Sequence, residues 1–275
     1  MTTVEVRPSS GRVLPGWHAA LLVVEGLWTW YRRNWRATAI SSLLQPLLFL
    51  VAFGVGFGAL IDAGARGEQV TGGVPYLAYL APALLAVGAV QSAAFESTYP
   101  ILSAFKWQRT HWAVTATPIT PGQLAGGQLT WIALRLTLSG AAYLLVIALF
   151  GAVQGFGVLA ALVFAVLCGM AFSAPLVAFA AAYEGEGNAF AAVFRFVVVP
   201  MTLFSGTFFP ISQLPELIRP LAWISPLWHG TELARGAALG TLHLWPAFGH
   251  TAYLSALLVA GVLLARWWFR VRLTT

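Results

Sequence analysis

Residues 124–183 read LAGGQLTWIALRLTLSGAAYLLVIALFGAVQGFGVLAALVFAVLCGMAFSAPLVAFAAAY, two long apolar runs separated only by GAVQG. Arg135 is the one charged residue within them. Each run exceeds the roughly 20 apolar residues that a helix needs to cross the hydrocarbon core of a bilayer. The stretch therefore predicts two transmembrane helices, about 124–150 and 156–183, joined as a helical hairpin.

The rest of the chain has the same apolar character. Its 275 residues are 59% hydrophobic and 9% charged, with a mean hydropathy of +0.79, whereas soluble domains carry roughly 25% charged residues. This composition excludes a water-soluble fold and predicts an all-α polytopic membrane protein, a single domain over residues 1–275. The net charge of +6 is better explained by arginines that flank the spans and set topology than by nucleic-acid binding.

Six stretches are long and apolar enough to span a bilayer, and all of them are predicted to be helices. Besides the hairpin, they cover about 39–61, 75–99, 188–208 and 248–269. Pro46 should kink the first span, and Gly54 and Gly58 give it a GxxxG packing face. Pro175 and Pro200 predict kinks in the fourth and fifth spans.

The N-terminal region predicts a helix that lies on the membrane. The first sixteen residues lack the features of a cleaved signal peptide. Residues 17–36 alternate with helical spacing between an apolar side (Trp17, Leu21, Val24, Trp28, Tyr31, Trp35) and a polar side (His18, Glu25, Thr29, Arg32, Arg36). An amphipathic interfacial helix in the headgroup plane fits this pattern.

Charge asymmetry predicts the orientation of the spans. With the N-terminus inside, the inner segments hold ten basic residues: Arg7, Arg12, Arg32, Arg33, Arg36, Lys106, Arg109, Arg266, Arg270 and Arg272. The outer segments hold three: Arg66, Arg219 and Arg235. Because positive residues concentrate on the cytoplasmic side, both termini are predicted to be cytoplasmic.

Three connecting segments have distinctive sequences. Residues 100–123 form a long inner loop with a possible short helix around 103–115, and residues 183–188, YEGEGN, form an acidic inner turn. The outer segment 209–247 is too apolar for a solvated loop and too rich in proline to span. Short re-entrant or interfacial helices around 213–222 and 227–239, buried in protein, are predicted there.

The chain has no motif for catalysis, metal binding or nucleotide binding. Walker A, HExxH, CxxC and GxSxG patterns are absent from the sequence, and we expect no catalytic residue, no metal and no cofactor in this chain. His111, His229, His243 and His250 have no metal-ligand spacing, so interfacial hydrogen bonding is the preferred interpretation. Cys168 is the sole cysteine, which favours a structural role.

Glu96, Arg135 and Arg195 lie within predicted spans, where charge is costly and usually faces the bundle interior. Arg135 and Arg195 could reach the inner headgroups by snorkelling. Alternatively, one of them pairs with Glu96 near the inner end of the second span and holds the helices in register.

Two other classes of protein are less consistent with the sequence. A secondary, ion-coupled transporter needs acidic or histidine groups near the bilayer midplane, and the acidic residues here lie near the span ends. A membrane-embedded enzyme needs a clustered polar site, which the sequence does not display. Energy for transport is therefore expected from a partner chain docked on the inner loops.

One stretch resembles the signature of the ABC type-2 exporter permeases. FSGTFFPISQLPELIRPLAWISPLWHGTELARGAALG, residues 204–240, contains an FSG-x-x-FP turn, an LP helix and a PL-x-H-x-x-x-x-x-R element. The motif residues are Phe204, Ser205, Gly206, Phe209, Pro210, Leu214, Pro215, Pro226, Leu227, His229 and Arg235. Within that family the sequence is most similar to NodJ-type nodulation permeases and DrrB-like drug exporters, through YRRNW, FES-x-Y, QRT and a following TP. The stretch AFKWQRT replaces the acidic ERE-x-GT sequence of many other members.

The resemblance implies a function and partners. Such a permease moves an amphipathic, lipid-linked, oligosaccharide or drug-like substrate outward, with two permease chains, alike or different, and two separate ATPase subunits that bind ATP and Mg²⁺. It also implies a route along spans one, two and five, with the outer segment as exit lid. The residues implied to contact the ATPase are Phe105, Lys106, Trp107, Gln108, Arg109, Thr110 and His111, with Arg32, Arg33 and Arg36. Alternatively, the basic residues of this loop serve only as a topology signal that keeps it on the cytoplasmic side.

Overall fold

The computed structural model of the chain describes residues 15–58, 71, 73–151 and 155–274. Within these ranges the chain is helical and contains no β-strand. The helices are α1 (Gly16–Phe49), α2 (Tyr76–Glu96), α3 (Tyr99–Lys106), α4 (Thr110–Thr115), α5 (Pro121–Leu149), α6 (Gly157–Ala182), α7 (Asn188–Val193), α8 (Val199–Phe204), α9 (Arg219–Ile224), α10 (Pro226–Leu239) and α11 (Leu244–Thr274). Two π-helical segments, Leu50–Phe57 and Phe194–Val198, and a 3₁₀ turn, Ile211–Gln213, complete them.

Four helical stretches among the described residues are long and apolar enough to cross a membrane. They are Tyr76–Lys106, which joins α2 and α3, and α5, α6 and α11. The stretch Asn188–Phe204 is apolar but shorter. The four long stretches overlap the spans predicted at 75–99, 124–150, 156–183 and 248–269, which indicates a multi-pass membrane protein.

The predicted interfacial helix, residues 17–36, and the start of the predicted first span lie on one helix. We expected two separate elements, 17–36 and 39–61, but α1 runs from Gly16 to Phe49 without interruption. The reason is local, since residues 27–44 contain no proline or glycine and a change from polar to apolar side chains does not break backbone hydrogen bonds. Predictions for Arg7, Arg12, Arg66 and the signal-peptide region lie outside the described residues.

Prolines affect three helices in different ways. Four residues after Pro46 the α1 backbone widens into the π-helical segment Leu50–Phe57, and a second π segment ends two residues before Pro200. The predicted fifth span is therefore not a regular helix. Pro200 cannot donate to the carbonyl of Phe196, which lies inside the second π segment, and this accounts for the π geometry there. The bond that Pro46 lacks lies on its N-terminal side and does not explain the first π segment. By contrast, α6 continues through Pro175.

The connecting segments are also helical in part. The single helix expected around 103–115 is wrong, because α3 and α4 are separated at Arg109, whose φ of 53° is left-handed. In the outer segment the short helices α9 and α10 appear near the predicted positions, and Gly240 with φ 70° ends α10. Left-handed glycine is a common helix terminator.

Close contacts between helix backbones hold the bundle together around α6, which packs against α2, α5, α10 and α11. A Cβ atom built at Gly261 of α11 would lie 2.5 Å from Pro175 Cδ, and one at Gly127 of α5 would lie 2.6 Å from Val23 Cβ. No side chain larger than hydrogen fits either position without movement. This is the small-residue packing typical of membrane helices.

Candidate functional site

The predicted coupling loop forms a compact unit at the end of the bundle where α11 terminates. We call α3, residues 107–109, α4 and the turn 183–187 the platform. The left-handed backbone at Arg109 reverses the chain between α3 and α4. Trp107, Gln108, Arg109 and Thr110 are exposed at its tip, with 54% of Trp107 accessible. These side chains are free to contact another protein.

Phe105 and His111, two residues of the predicted contact set, lie inside the platform instead. Only 3% of Phe105 and 4% of His111 is exposed. Their rings meet edge to face with centroids 4.4 Å apart, and both pack on Phe269 of α11. They fix α3 and α4 against the bundle, and the four residues at the tip are the exposed members of the contact set predicted in this loop.

Burial controls the charge state of His111. Loss of hydration lowers the pKa of His111 to about 3, and the positive charge of Arg272 lowers it as well. Its Nδ1 atom has no hydrogen-bond partner among the described residues. The imidazole is consequently neutral at physiological pH and acts as an aromatic spacer.

Two basic side chains bind the platform to its surroundings. Lys106 forms an ion pair with Glu186 and also donates to the carbonyl of Gly185 at 3.4 Å. Arg272 donates to the carbonyls of Ala181 and Tyr183 at 2.7 and 3.0 Å, and its guanidinium lies 4.4 Å from the centroid of the Phe105 ring. The acidic turn, α3 and the end of α11 are therefore joined directly.

The N-terminal arginines are placed differently from those of the platform. Arg32 and Arg33 are exposed on α1, while the side chain of Arg36 lies outside the described residues. The four exposed tryptophans of α1, Trp17, Trp28, Trp30 and Trp35, surround the same helix. An aromatic and basic surface of this kind suits lipid headgroups or a protein docked at the membrane surface.

Glu96 pairs with Arg135 in the structure, and Arg195 lies apart. Arg135 donates to Glu96 Oε1 from Nη2 at 2.9 Å and from Nε at 3.1 Å. Its guanidinium also lies 4.3 Å from the centroid of the Tyr31 ring. The group joins α1, α2 and α5. Arg195 is exposed and forms no ion pair with any described residue.

At the opposite end of the bundle, Arg235 organises the outer motif. Its Nη2 donates to the carbonyls of Gly206 and Thr207 at 2.8 and 3.2 Å, and its Nε donates to the carbonyl of Tyr79 at 3.3 Å. The guanidinium lies 3.8 Å from the centroid of the Tyr79 ring. Gly206 has a φ of 75°. A buried arginine thus holds the turn after α8 against α2 and α10.

His229 anchors the second half of the outer motif. Its Nε2 lies 3.0 Å from the carbonyl oxygen of Trp223, so Nε2 carries the proton and donates. Its Nδ1 lies 2.7 Å from Nδ1 of His250 and must accept from it. Ser205 and Ser225 are also bonded through their hydroxyls at 2.6 Å. These bonds join parts of the motif that lie far apart in sequence, and together with the contacts of Arg235 they define what we call the outer unit.

Several residues of the outer motif have packing roles or remain accessible. Leu214 and Leu227 are buried, Phe209, Pro210 and Pro226 are half-buried, and Phe204 and Pro215 are exposed. Tyr79, Ser225 and His250 complete the unit, and sequence analysis did not assign them to it. From the sequence, one rule indicates that such residues exist: a buried guanidinium or imidazole needs hydrogen-bond partners. That rule does not identify which residues they are.

Comparison with known proteins identifies the family. The profile of the ABC-2 type transporter family matches residues 20–239, which include most of α1, the platform and every residue of the outer motif. The chain belongs to the ABC-2 type transporter family. As a member of that family, the permease is a membrane component of a transport system.

Curated relatives of the permease agree with this assignment. Nodulation protein J of Sinorhizobium fredii is 32% identical over 246 residues, covering 86% of this chain and 89% of the relative. Nodulation protein J of Rhizobium meliloti is 31% identical, covering 82% and 86%. The protein of that name from Rhizobium leguminosarum bv. trifolii is 33% identical, covering 76% and 80%. No solved structure matches the permease.

Proposed function

We propose that the permease is the transmembrane subunit of an ATP-driven exporter and that a separate ATPase subunit docks on the platform. The observation that carries the proposal is the exposed tip, Trp107 to Thr110, on a support fixed by Lys106 and Arg272. The sequence has no Walker A motif, so ATP and Mg²⁺ belong to the partner in this scheme. Arg32 and Arg33 on α1, together with Arg36, supply a second contact.

The exporter contains two ATPase subunits and two permeases, the second permease being the same or a different chain. Each permease has six spans, with α1 and its π-helical extension contributing the first and Asn188–Phe204 the fifth, in the cytoplasmic membrane of a bacterium. Both termini are cytoplasmic, as the distribution of basic residues favours. Cargo is an amphipathic, lipid-linked, oligosaccharide or drug-like molecule.

Movement passes from the platform to the rest of the bundle. Closure of the ATPases pushes the tip, and Phe105, His111 and Arg272 transmit the displacement to α6 and α11. The route for cargo lies along spans one, two and five, and the outer unit around Arg235 and His229 acts as the exit lid. The rigid links at both ends of the bundle support a rocking motion of whole helices.

Docking is tested by combining Trp107→Ala with Arg109→Gly. Glycine tolerates the left-handed backbone at position 109, so the substitution removes the arginine side chain without straining the turn. We expect the purified double variant to lose the co-purifying ATP-binding chain and stimulated ATP hydrolysis, while membrane insertion is unchanged. The control is Trp267→Ala, an exposed tryptophan of α11 that lies outside the platform. Undiminished co-purification of the double variant would remove the platform from the proposal.

A further inference from the structure

A groove runs along the surface of the permease between α1, α5 and the last turns of α11. Its volume is about 730 Å³, and it lies at the platform end of the bundle. Trp17 of α1 stands at its mouth with 68% of its surface exposed. Neither the tip of the platform nor the outer unit contributes a residue to this groove.

The α11 wall of the groove changes from charged to apolar along its length. Leu258, Val262, Arg266 and Arg270 line it and follow one another at intervals of four residues, which places them on one helix face. Twelve residues of α-helix span about 18 Å. A single leaflet contributes about 15 Å of hydrocarbon, half of the core thickness. The wall therefore matches one leaflet, with its cations at headgroup level.

The α5 wall leaves space for a ligand. A Cβ built at Gly122 meets no atom within 4 Å, and one at Gly126 meets only Arg266 Nη2, at 3.9 Å. Thr130 Oγ1 is turned back to the carbonyl of Gly126 at 2.9 Å. Deeper in the groove this wall is apolar, with Leu129 and Ala133. Two glycines facing the arginines thus open the charged end, and alkyl side chains line the other.

No described acidic residue compensates the charge of the groove. None of its lining residues is acidic, and Arg266 and Arg270 form no ion pair with any residue that the structure describes. Arg272, on the same helix, is engaged by backbone carbonyls. Two adjacent cations above an apolar channel complement an anionic headgroup with an acyl chain.

We propose that this groove binds one anionic phospholipid, with its phosphate between Arg266 and Arg270 and an acyl chain along Val262 and Leu258. A free phosphate ion would leave the apolar half unfilled, and a transmembrane helix would bring no anion to the charged half. The lipid is a bound component of the permease and not its cargo. It comes from the cytoplasmic leaflet. The choice of leaflet rests on the orientation proposed above, but the lipid site itself does not depend on that orientation.

The test uses the full-length permease purified in detergent and titrated with phosphatidylglycerol or phosphatidylcholine, with bound lipid counted by native mass spectrometry. We expect one phosphatidylglycerol to be retained in preference to phosphatidylcholine. Arg266→Gln with Arg270→Gln should weaken that binding about 30-fold, from the usual contribution of a basic residue near anionic lipid. The matched control, Arg33→Gln with Arg195→Gln, removes two exposed cations outside the groove and should change it less than about 3-fold.

A second variant separates shape from charge. Gly126→Leu fills the groove without changing net charge, and it should reduce retention of phosphatidylglycerol while the circular-dichroism spectrum and elution volume stay those of the parent permease. Three results would each overturn the proposal. The first is an equal loss of phosphatidylglycerol binding in Arg266→Gln/Arg270→Gln and in the control Arg33→Gln/Arg195→Gln. The others are equal retention of the two lipids by the parent permease and full retention of phosphatidylglycerol by Gly126→Leu. Lipid retention is measured on the permease alone. If no ATPase docks on the platform, the expected lipid binding of the parent and of each variant is unchanged, so this test is independent of the proposed function.

Discussion

Replacing Arg135 by methionine, while Glu96 remains, leaves a carboxylate with 13% of its side chain exposed and without its cation. The two charged atoms lie 2.9 Å apart. At an effective dielectric constant of about 20, their gross attraction is roughly 6 kcal/mol, much of which offsets desolvation. Removing one partner of such a pair usually costs about 3 kcal/mol, because the other charge stays buried. For a chain of this size that lowers Tm by roughly 6–12 °C.

The assay is thermal unfolding of the detergent-solubilised permease, carried out as a double-mutant cycle. Arg135→Met and Glu96→Gln should each destabilise, and the double variant should recover to within about 1 kcal/mol of the parent, since no unpaired charge remains. Arg195→Met is the control, as Arg195 is exposed and should change stability by less than about 0.5 kcal/mol.

A coupling energy near zero would refute this reasoning, as would equal effects at Arg135 and Arg195. Reversal of both charges gives a further check. Glu96→Arg or Arg135→Glu alone places two like charges together, and the combined variant restores an ion pair. If the combination were no better than either single reversal, the pair would not hold α2 against α5.

Two further predictions concern packing and pH. Gly127→Leu should lower unfolding free energy by about 2 kcal/mol through overlap with Val23, whereas Gly26→Ala, where a Cβ meets nothing within 4 Å, should be neutral or slightly stabilising in the same thermal assay. For His111, the unfolded chain takes up a proton near pH 6.5 and the folded one near 3, so folding stability should fall by about 2 kcal/mol between pH 7 and 5. His111→Phe should abolish that part of the slope, and an unchanged slope in calorimetry at both pH values would contradict the buried neutral imidazole.

Hydropathy predicted the hairpin of α5 and α6 well because its boundaries coincide with local signals. Thr120 and Pro121 start α5 with a capping box that uses Gln123, and glycine residues mark the turn. The continuity of α1 was not predicted, since the headgroup boundary alters side-chain polarity but does not interrupt the backbone. The π geometry before Pro200 was not predicted either, because the rule used says that proline perturbs a helix and does not say which backbone geometry results.

The contacts between distant residues show where prediction from one sequence ends. Arg135 and Arg195 both lie within apolar runs, so Glu96 had two possible partners. Helical periodicity gives the direction of a side chain relative to its own helix, not to its neighbours. The same applies to Tyr79 and Arg235, which are 156 residues apart. Only the packing of α2 against α10 brings them together.

Arg109 has an energetic consequence of its own. An L-residue in the left-handed region is disfavoured by roughly 1–2 kcal/mol, and glycine is not. At the tip of the platform the chain nevertheless has an arginine, not a glycine, in this disfavoured left-handed conformation. A mutant library screened for thermal stability alone should enrich glycine at position 109, and a library screened for transport should retain a cation there. The difference between the two outcomes would report how strongly selection for activity opposes selection for stability at one residue.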